Sequence, residues 1–345
     1  MVTSRYALPD LIRYAKKLDA DGFDAITIGD HTLIPNSAAT YPNATTLLGY
    51  LASVTEHCRL SQAVTDPLRR HPVEIAQAAL TLDQLTRGRA MLGLGAGEMM
   101  NLEPFGLDYD RPFTRLREAV DVIKLLWRSS PKDPVDYDGE FFTLRRAYLQ
   151  TGPFNAGRPP PIYIGAVGTK TRELVGEKAD GWIPVLESTT SLKAHLEDVS
   201  RGAKKANRGS GGIDVMVTFY SVVGDKQEAL KTVEAVTRVQ LVQERSVVEL
   251  TSGISIPREF SVARLLVNDP EITQELQSVA NSIPEKVVEA VTVVGTEEDC
   301  IKRLESYLDA GATSFLLCNL GKDQDETFSR YAQRIVPYLR ENYSK

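Results

Sequence analysis

The chain has 345 residues, 42% of them hydrophobic and 25% charged, with a formal net charge of −6. That composition supplies an ordinary globular core, contains no apolar run near the ~20 residues of a bilayer span, and argues against a general nucleic-acid binder. The opening Met1-Val-Thr-Ser-Arg-Tyr6 has no apolar signal core, and Cys58, Cys300 and Cys318 fit neither a disulfide framework nor a zinc site, so a reducing cytoplasm is the expected compartment.

In chain order, residues 8–20 predict a helix with Leu11, Ile12, Ala15 and Leu18 on one face, followed by a strand at 25–29. A strand at 60–64, a helix at 72–85 and a strand at 90–95 come next. The clearest helix is 112–127, where Phe113, Leu116, Val120, Ile123 and Trp127 keep amphipathic spacing and Pro112 stands near the start. Residues 129–160, rich in Pro, Asp and Gly, read as an irregular insertion. Short strands at 161–165 and 181–185 flank a helix, and a further helix and a strand at 213–223 follow. A long helical region covers 225–282, and the chain ends as helix 297–309, strand 314–318 and helix 326–343. His57 and His195 fall on helix-like stretches and read as structural.

This alternation implies a parallel sheet covered by helices. Seven strands are legible, and a (β/α)8 barrel needs eight. The missing one belongs before residue 8, where Met1–Ala7 make at best a degenerate strand. A doubly wound open sheet is the alternative. No linker divides the repeating units, so residues 1–345 are expected to form one domain, with insertions at 129–160 and 225–282.

Polar and glycine-rich groups recur just after the strands. They are Asp30-His31, Thr65-Asp66-Pro67, Glu98 behind Gly93, Gly95 and Gly97, and Gly165-Ala166-Val167-Gly168. In a βα barrel these positions converge on the catalytic rim. Each also has a plainer reading. Asp30 and His31 either cap and brace a loop or act in a site. The glycines either relieve crowding or admit a ligand. Arg69-Arg70-His71 suits a solvated turn better than an anion site. Gly165–Gly168, ahead of a helix, offers backbone N–H groups to a phosphate. The stretch Gly93–Glu98 is not the dinucleotide fingerprint, because Glu98 stands where its third glycine belongs. No His/Cys/carboxylate spacing suggests a metal.

Together these residues resemble the bacterial luciferase-like superfamily of flavin and deazaflavin oxidoreductases, over nearly the whole chain. The anchors are Gly22-Phe23-Asp24, Gly29-Asp30-His31, Thr65-Asp66-Pro67, Arg70-His71-Pro72, Leu82-Asp83-Gln84-Leu85 with Gly88-Arg89, Leu92–Glu98 with Asn101, Asp138-Gly139-Glu140-Phe141-Phe142, Ala179-Asp180-Gly181-Trp182 and Gly295-Thr296. Gly-Ala-Gly-Glu98 followed by Asn101-Leu-Glu-Pro-Phe-Gly106 is most similar to the coenzyme F420-dependent branch of the methylenetetrahydromethanopterin reductase type. The resemblance implies a barrel with a deazaflavin across its strand ends and a non-prolyl cis peptide at Ala63–Val64 behind the ring. It implies that Ala63, Val64, Thr65, Asp66, Gly97 and Asn101 line the coenzyme, with Gly165, Ala166, Val167 and Gly168 near its phosphate. Lys170 and Arg172 would neutralise the anionic tail. Glu98, His31 and Asp30 would serve the chemistry, a hydride transfer to a one-carbon pterin. The rivals are an FMN-dependent monooxygenase, an F420-dependent dehydrogenase of another small substrate, and a non-catalytic flavin-binding barrel. A homodimer or higher homo-oligomer is expected from the same resemblance.

Overall fold

A computed structural model describes residues 8–34, 40–257, 260 and 270–343. The order is α1 (Leu8–Ala20), β1 (Ala25–Ile28), α2 (Ala44–Ala52), β2 (Arg59–Gln62), α3 (Pro72–Thr86), β3 (Leu92–Leu94), α4 (Pro112–Arg128), β4 (Val135–Asp138), β5 (Thr143–Ala147), β6 (Ile162–Ile164), α5 (Thr169–Lys178), β7 (Gly181–Trp182), α6 (Thr189–Lys205) and β8 (Asp214–Val223). Then come α7 (Lys226–Leu241), α8 (Arg245–Ser252), α9 (Pro270–Ser282), α10 (Glu285–Val291), β9 (Val293–Gly295), α11 (Glu297–Asp309), β10 (Ser314–Asn319), α12 (Gln324–Arg330) and α13 (Val336–Tyr343).

β1 and β2 form a parallel pair, and β3, β6, β7, β8 and β10 run side by side in a six-stranded parallel sheet, with β9 on the upper end of β8. Bridges Leu60–Ala90 and Thr65–Leu94 join the two pieces. The architecture is a (β/α)8-type barrel, and the open-sheet alternative is set aside. Among the described residues no strand ladder joins β10 to β1. On the outer layer, Tyr14 and Phe23 pack on Phe328, with ring centroids 6.0 and 6.1 Å apart, and Arg13 pairs with Asp325 at 3.2 Å, joining α1 to α12. Residues 1–7, where the first strand is expected, lie outside the described residues.

Met91, Tyr163, Ile183, Met216 and Leu316, one from each of five neighbouring strand segments, pack together as a plug inside the barrel, and Ala63 and Val64 rest on it. A filled interior is the normal state of such a barrel. It leaves Val64 as a half-buried floor at the strand ends. On the outside, helices bury their apolar faces on the sheet, and Trp127 Nε1 donates to Ala76 O at 3.0 Å, locking α4 to α3.

Three sequence readings change. The insertion at 129–160 contains the antiparallel hairpin β4–β5, whose connecting turn is pinned by Glu118 accepting from the N–H groups of Glu140 and Phe141 at 2.9 Å. The structure adds the strand β9, which is three residues long and follows α10 almost directly, too short for a legible alternation. His57 stands in a bend before β2 and not on a helix. The helical region from α7 onward has its own apolar core, which takes in Met100 and Leu186 and packs on Leu33, Ile34 and Val185 at the strand ends. The region is therefore a cover seated on the mouth of the barrel. No helix of the described residues is long and apolar enough to cross a membrane.

Candidate active site

The loop after β3 places Glu98 ahead of a single helical turn, Met99–Asn101. The loop after β1 brings in His31. His31 Nδ1 lies 3.2 Å from Glu98 Oε2, and each side chain is 27% exposed. Asn101, almost fully buried, arranges the pair. Its Oδ1 accepts from the N–H groups of Thr32 at 2.7 Å and Leu33 at 3.0 Å, and its Nδ2 donates to Glu98 at 3.1 Å. His31 Nδ1 also lies 3.2 Å from Asn101 Nδ2, so this nitrogen faces both a carboxylate and an amide donor. Burial presses the His31 pKa down, but the Glu98 charge and hydrogen bond outweigh it, and the net shift is upward. Burial presses Glu98 up, but His31, the Asn101 hydrogen bond and Arg69 bring it below the usual carboxylate value. Each group thus favours the charged form of the other, and both side chains remain partly exposed.

Asp30 and Asp66 have another task. Asp30 is 4% exposed and held by Arg70 Nη1 and by Arg69 Nη2, the latter at 3.2 Å. Asp66 accepts from the Leu68 and Arg69 N–H groups at 3.0 and 2.9 Å and pairs with Arg69 Nε at 2.6 Å. Arg70 also donates to Thr65 Oγ1 at 3.1 Å. The arginines are thus neither a solvated turn nor an anion site. They are a buried clamp between the loops after β1 and β2, and they fix the backbone that carries His31. Asp30 braces this loop through the clamp.

The glycines of β3 answer to Val64. The peptide bond Ala63–Val64 is cis. A Cβ on Gly95 would stand 2.6 Å from Val64 Cγ2, and one on Gly165 would stand 3.4 Å from both Val64 methyls. Gly93 approaches the Gln62 carbonyl, and Gly97, at φ +74°, fits against Asp66. The result is an apolar floor flanked by bare backbone, a shape that suits a flat ring system.

Beyond β6, Gly165–Gly168 leads into α5. The Ala166 carbonyl accepts from Trp182 Nε1 at 3.0 Å, and Val167 is exposed. Gly168 is the N-cap of α5 without a side-chain cap, and a Cβ there would meet nothing within 4 Å. The first N–H groups of α5 thus lack a side-chain acceptor next to a cap position with free space around it, an arrangement suited to phosphate at a helix N-terminus. Lys170 is exposed beside them. Arg172 differs from its expected role: it is buried against Asp198 at 2.8 Å and donates to the Val167 carbonyl. It shapes the loop and is not available to an anion.

Behind the loop that follows β7, Glu187 holds His195 Nδ1 at 2.8 Å and accepts from Ser191, all three buried. The reading of His195 as structural stands, while Glu187 carried no sequence signal. The three cysteines are buried and free, and burial pushes Cys58 and Cys300 up to about 12 and Cys318 to about 11. Among the described residues no group of His, Cys, Asp and Glu could hold a metal. Two further cavities, of about 260 and 200 Å³, lie away from the mouth, between α7, α10 and α11 and between α2 and α3.

The chain matches the luciferase-like monooxygenase family over residues 1–314. It belongs to that family. It is 28% identical to the 5,10-methylenetetrahydromethanopterin reductase of Archaeoglobus fulgidus over 96% of both chains. It is 30% identical to the F420-dependent glucose-6-phosphate dehydrogenase of Beutenbergia cavernae over 97% of this chain and 95% of that one. Its backbone follows an F420-dependent secondary alcohol dehydrogenase, solved with an F420–acetone adduct, with a TM-score of 0.80, 25% identity and coverage of 96% and 98%.

Proposed function

We propose that this protein is a coenzyme F420-dependent oxidoreductase that transfers a hydride between the reduced deazaflavin and a one-carbon pterin, in the manner of 5,10-methylenetetrahydromethanopterin reductase. The observation that carries the coenzyme is the Val64 floor between Gly95 and Gly165, which points along the strand ends to the uncapped N-terminus of α5. Ring and phosphate ends of one molecule find matching surfaces there. Reduced F420, when bound, supplies the hydride. Val64 and the bare glycine backbone support the ring's face, with Ala63, Thr65 and Gly97 beside it. The N–H groups of Thr169 and Lys170 and the Lys170 charge hold the phosphate. Asn101 positions Glu98 and His31, and Glu98 stabilises positive charge that an iminium acceptor brings to the mouth. An acceptor already cationic needs no proton, so the pair then acts chiefly by orientation and charge.

A second reading follows from His31. Its raised pKa makes it a competent proton donor to a carbonyl oxygen, as an F420-dependent dehydrogenase of an alcohol requires. An FMN-dependent monooxygenase is the third. Titration with F420 and with FMN, then assays with methylenetetrahydromethanopterin, a secondary alcohol and glucose 6-phosphate, separate them. Tight F420 binding with turnover of the pterin is expected. FMN binding without F420 binding refutes the proposal, and turnover of the alcohol alone selects the second reading.

A further inference from the structure

The cover carries one ionisable group that this chemistry does not use. Glu244 stands between α7 and α8 and is 4% exposed. Its carboxyl has no hydrogen-bond or ion-pair partner among the described residues, and it does not cap α8 although it occupies the N-cap position. It lies where the cover meets the rim: Thr251 Oγ1 of α8 donates to Ser188 Oγ after β7 at 2.8 Å, Val247 and Val248 share an apolar core with Met100 and Leu186, and the charges that act on Glu244 are Glu187, Arg172 and Glu98. Every one of those neighbours is engaged. Glu187 holds His195 and Ser191, Arg172 holds Asp198 and the Val167 carbonyl, and Glu98 holds His31 and Asn101. Burial, then the charges of Glu187 and Glu98 against Arg172, keep the Glu244 carboxyl up at about 8. An unpaired buried carboxyl is unfavourable in the folded protein, and such groups concentrate where a ligand completes them.

We propose that Glu244 is a specificity-determining residue that binds the hydrogen-bonding edge of the hydride acceptor, a flat heterocycle with adjacent N–H and C=O or amino groups. This rests on the F420-dependent reading above and names the class of acceptor that its site selects. A neutral carboxylic acid both donates and accepts, so it pairs at two points with a lactam edge, its O–H to the ring carbonyl and its C=O to the ring N–H. Ionised, it accepts two bonds from an amino group and a ring N–H. A pterin offers both edges. A phosphate offers neither donor pattern, and it would meet Glu98 and Glu187 as like charges. The mouth therefore favours an N–H-bearing acceptor without negative charge over a sugar phosphate.

The test is equilibrium binding to the F420-loaded protein of tetrahydromethanopterin, which lacks the methylene carbon and accepts no hydride, with glucose 6-phosphate as the anionic comparator. Wild type, Glu244→Gln and Glu244→Met are compared, and F420 affinity and melting temperature are recorded for each. Gln keeps a donor and an acceptor, so pterin affinity should stay within about threefold of wild type. Met keeps the length and removes both, so affinity should fall about tenfold or more, with F420 affinity and melting temperature held. Equal pterin affinity in wild type and Glu244→Met overturns the inference. So does wild type that binds no pterin, or that prefers glucose 6-phosphate. If wild type binds the pterin but does not reduce its methylene adduct, the reaction proposed above fails while the loss in Glu244→Met still upholds the role of Glu244.

Discussion

The ends of β3 and β6 both carry spaced glycines, and the two use their missing side chains in opposite ways. At β3 the protein itself fills the space: Val64 presses on Gly95, and Asp66 and Leu68 close on Gly97. At β6 the last glycine, Gly168, borders nothing within 4 Å and opens onto the uncapped start of α5. The same residue pattern thus builds a floor at one strand and leaves a berth at the other. A glycine after a strand marks close approach, and only the surrounding atoms say whether a neighbour or a ligand is approaching.

The largest expected effect lies on the filled side, where the chemistry stands. Glu98→Gln removes the charge beside His31 and keeps the shape. Turnover should fall about 100-fold while the F420 dissociation constant, from fluorescence titration, stays within about threefold. Unchanged turnover would remove Glu98 from the mechanism. Next is Gly95→Ala, whose new methyl collides with Val64. Overpacking should lower stability by about 1–3 kcal/mol in denaturant titration and weaken F420 about tenfold, and Val64→Ala in the same chain should restore part of both. Full stability in Gly95→Ala would break the contrast between the two strand ends.

Gly168→Asp probes the open side. An aspartate is a good N-cap, so stability should hold or rise by a few tenths of a kcal/mol, while its charge at the helix N-terminus displaces phosphate and weakens F420 about tenfold. A parallel loss of both would mean that this end, too, is filled by the protein.

The smallest effect is on pH dependence. The lowered Glu98 stabilises the fold above its unfolded value, near 4.3, and that contribution is lost as pH falls through its native value. The raised His31 stabilises below its unfolded value, near 6.5, and that contribution is lost as pH rises through its native value. The melting-temperature difference between wild type and Glu98→Gln should therefore peak at about pH 5–6 and shrink on both sides. A difference flat from pH 4 to 9 would show the two groups to be uncoupled.

The sequence exposes the rim because the rim is local. Gly95, Glu98, Asp30-His31 and Gly165–Gly168 each follow a strand directly, and the barrel gathers them without further instruction. The clamp was hidden because Arg69 and Arg70 are read beside one another, whereas their partner Asp30 lies on another loop. Arg172 looked like an anion ligand from its place near a helix start. Asp198, on the neighbouring helix α6, decides otherwise, and no periodicity links the two. Glu187 acts on Glu244 only through the packing of a cover onto a barrel, which sequence pattern does not encode. β9 and the hairpin β4–β5 were missed for a simpler reason, since short or polar strands leave little alternation to see.

Met100 belongs to the apolar core of the cover, and Asn101, its neighbour, holds Glu98, Thr32 and Leu33. Leu33 packs on the same core. The two segments that align the proton-bearing pair are thus stitched into the cover, which makes them one unit of cooperative opening. Amide hydrogen exchange at Thr32 and Leu33 should track that of α7 and α8, slowing together when coenzyme binds. Any opening of the cover would therefore displace Asn101 and the His31 loop with it, so the alignment of His31 with Glu98 depends on the cover being seated.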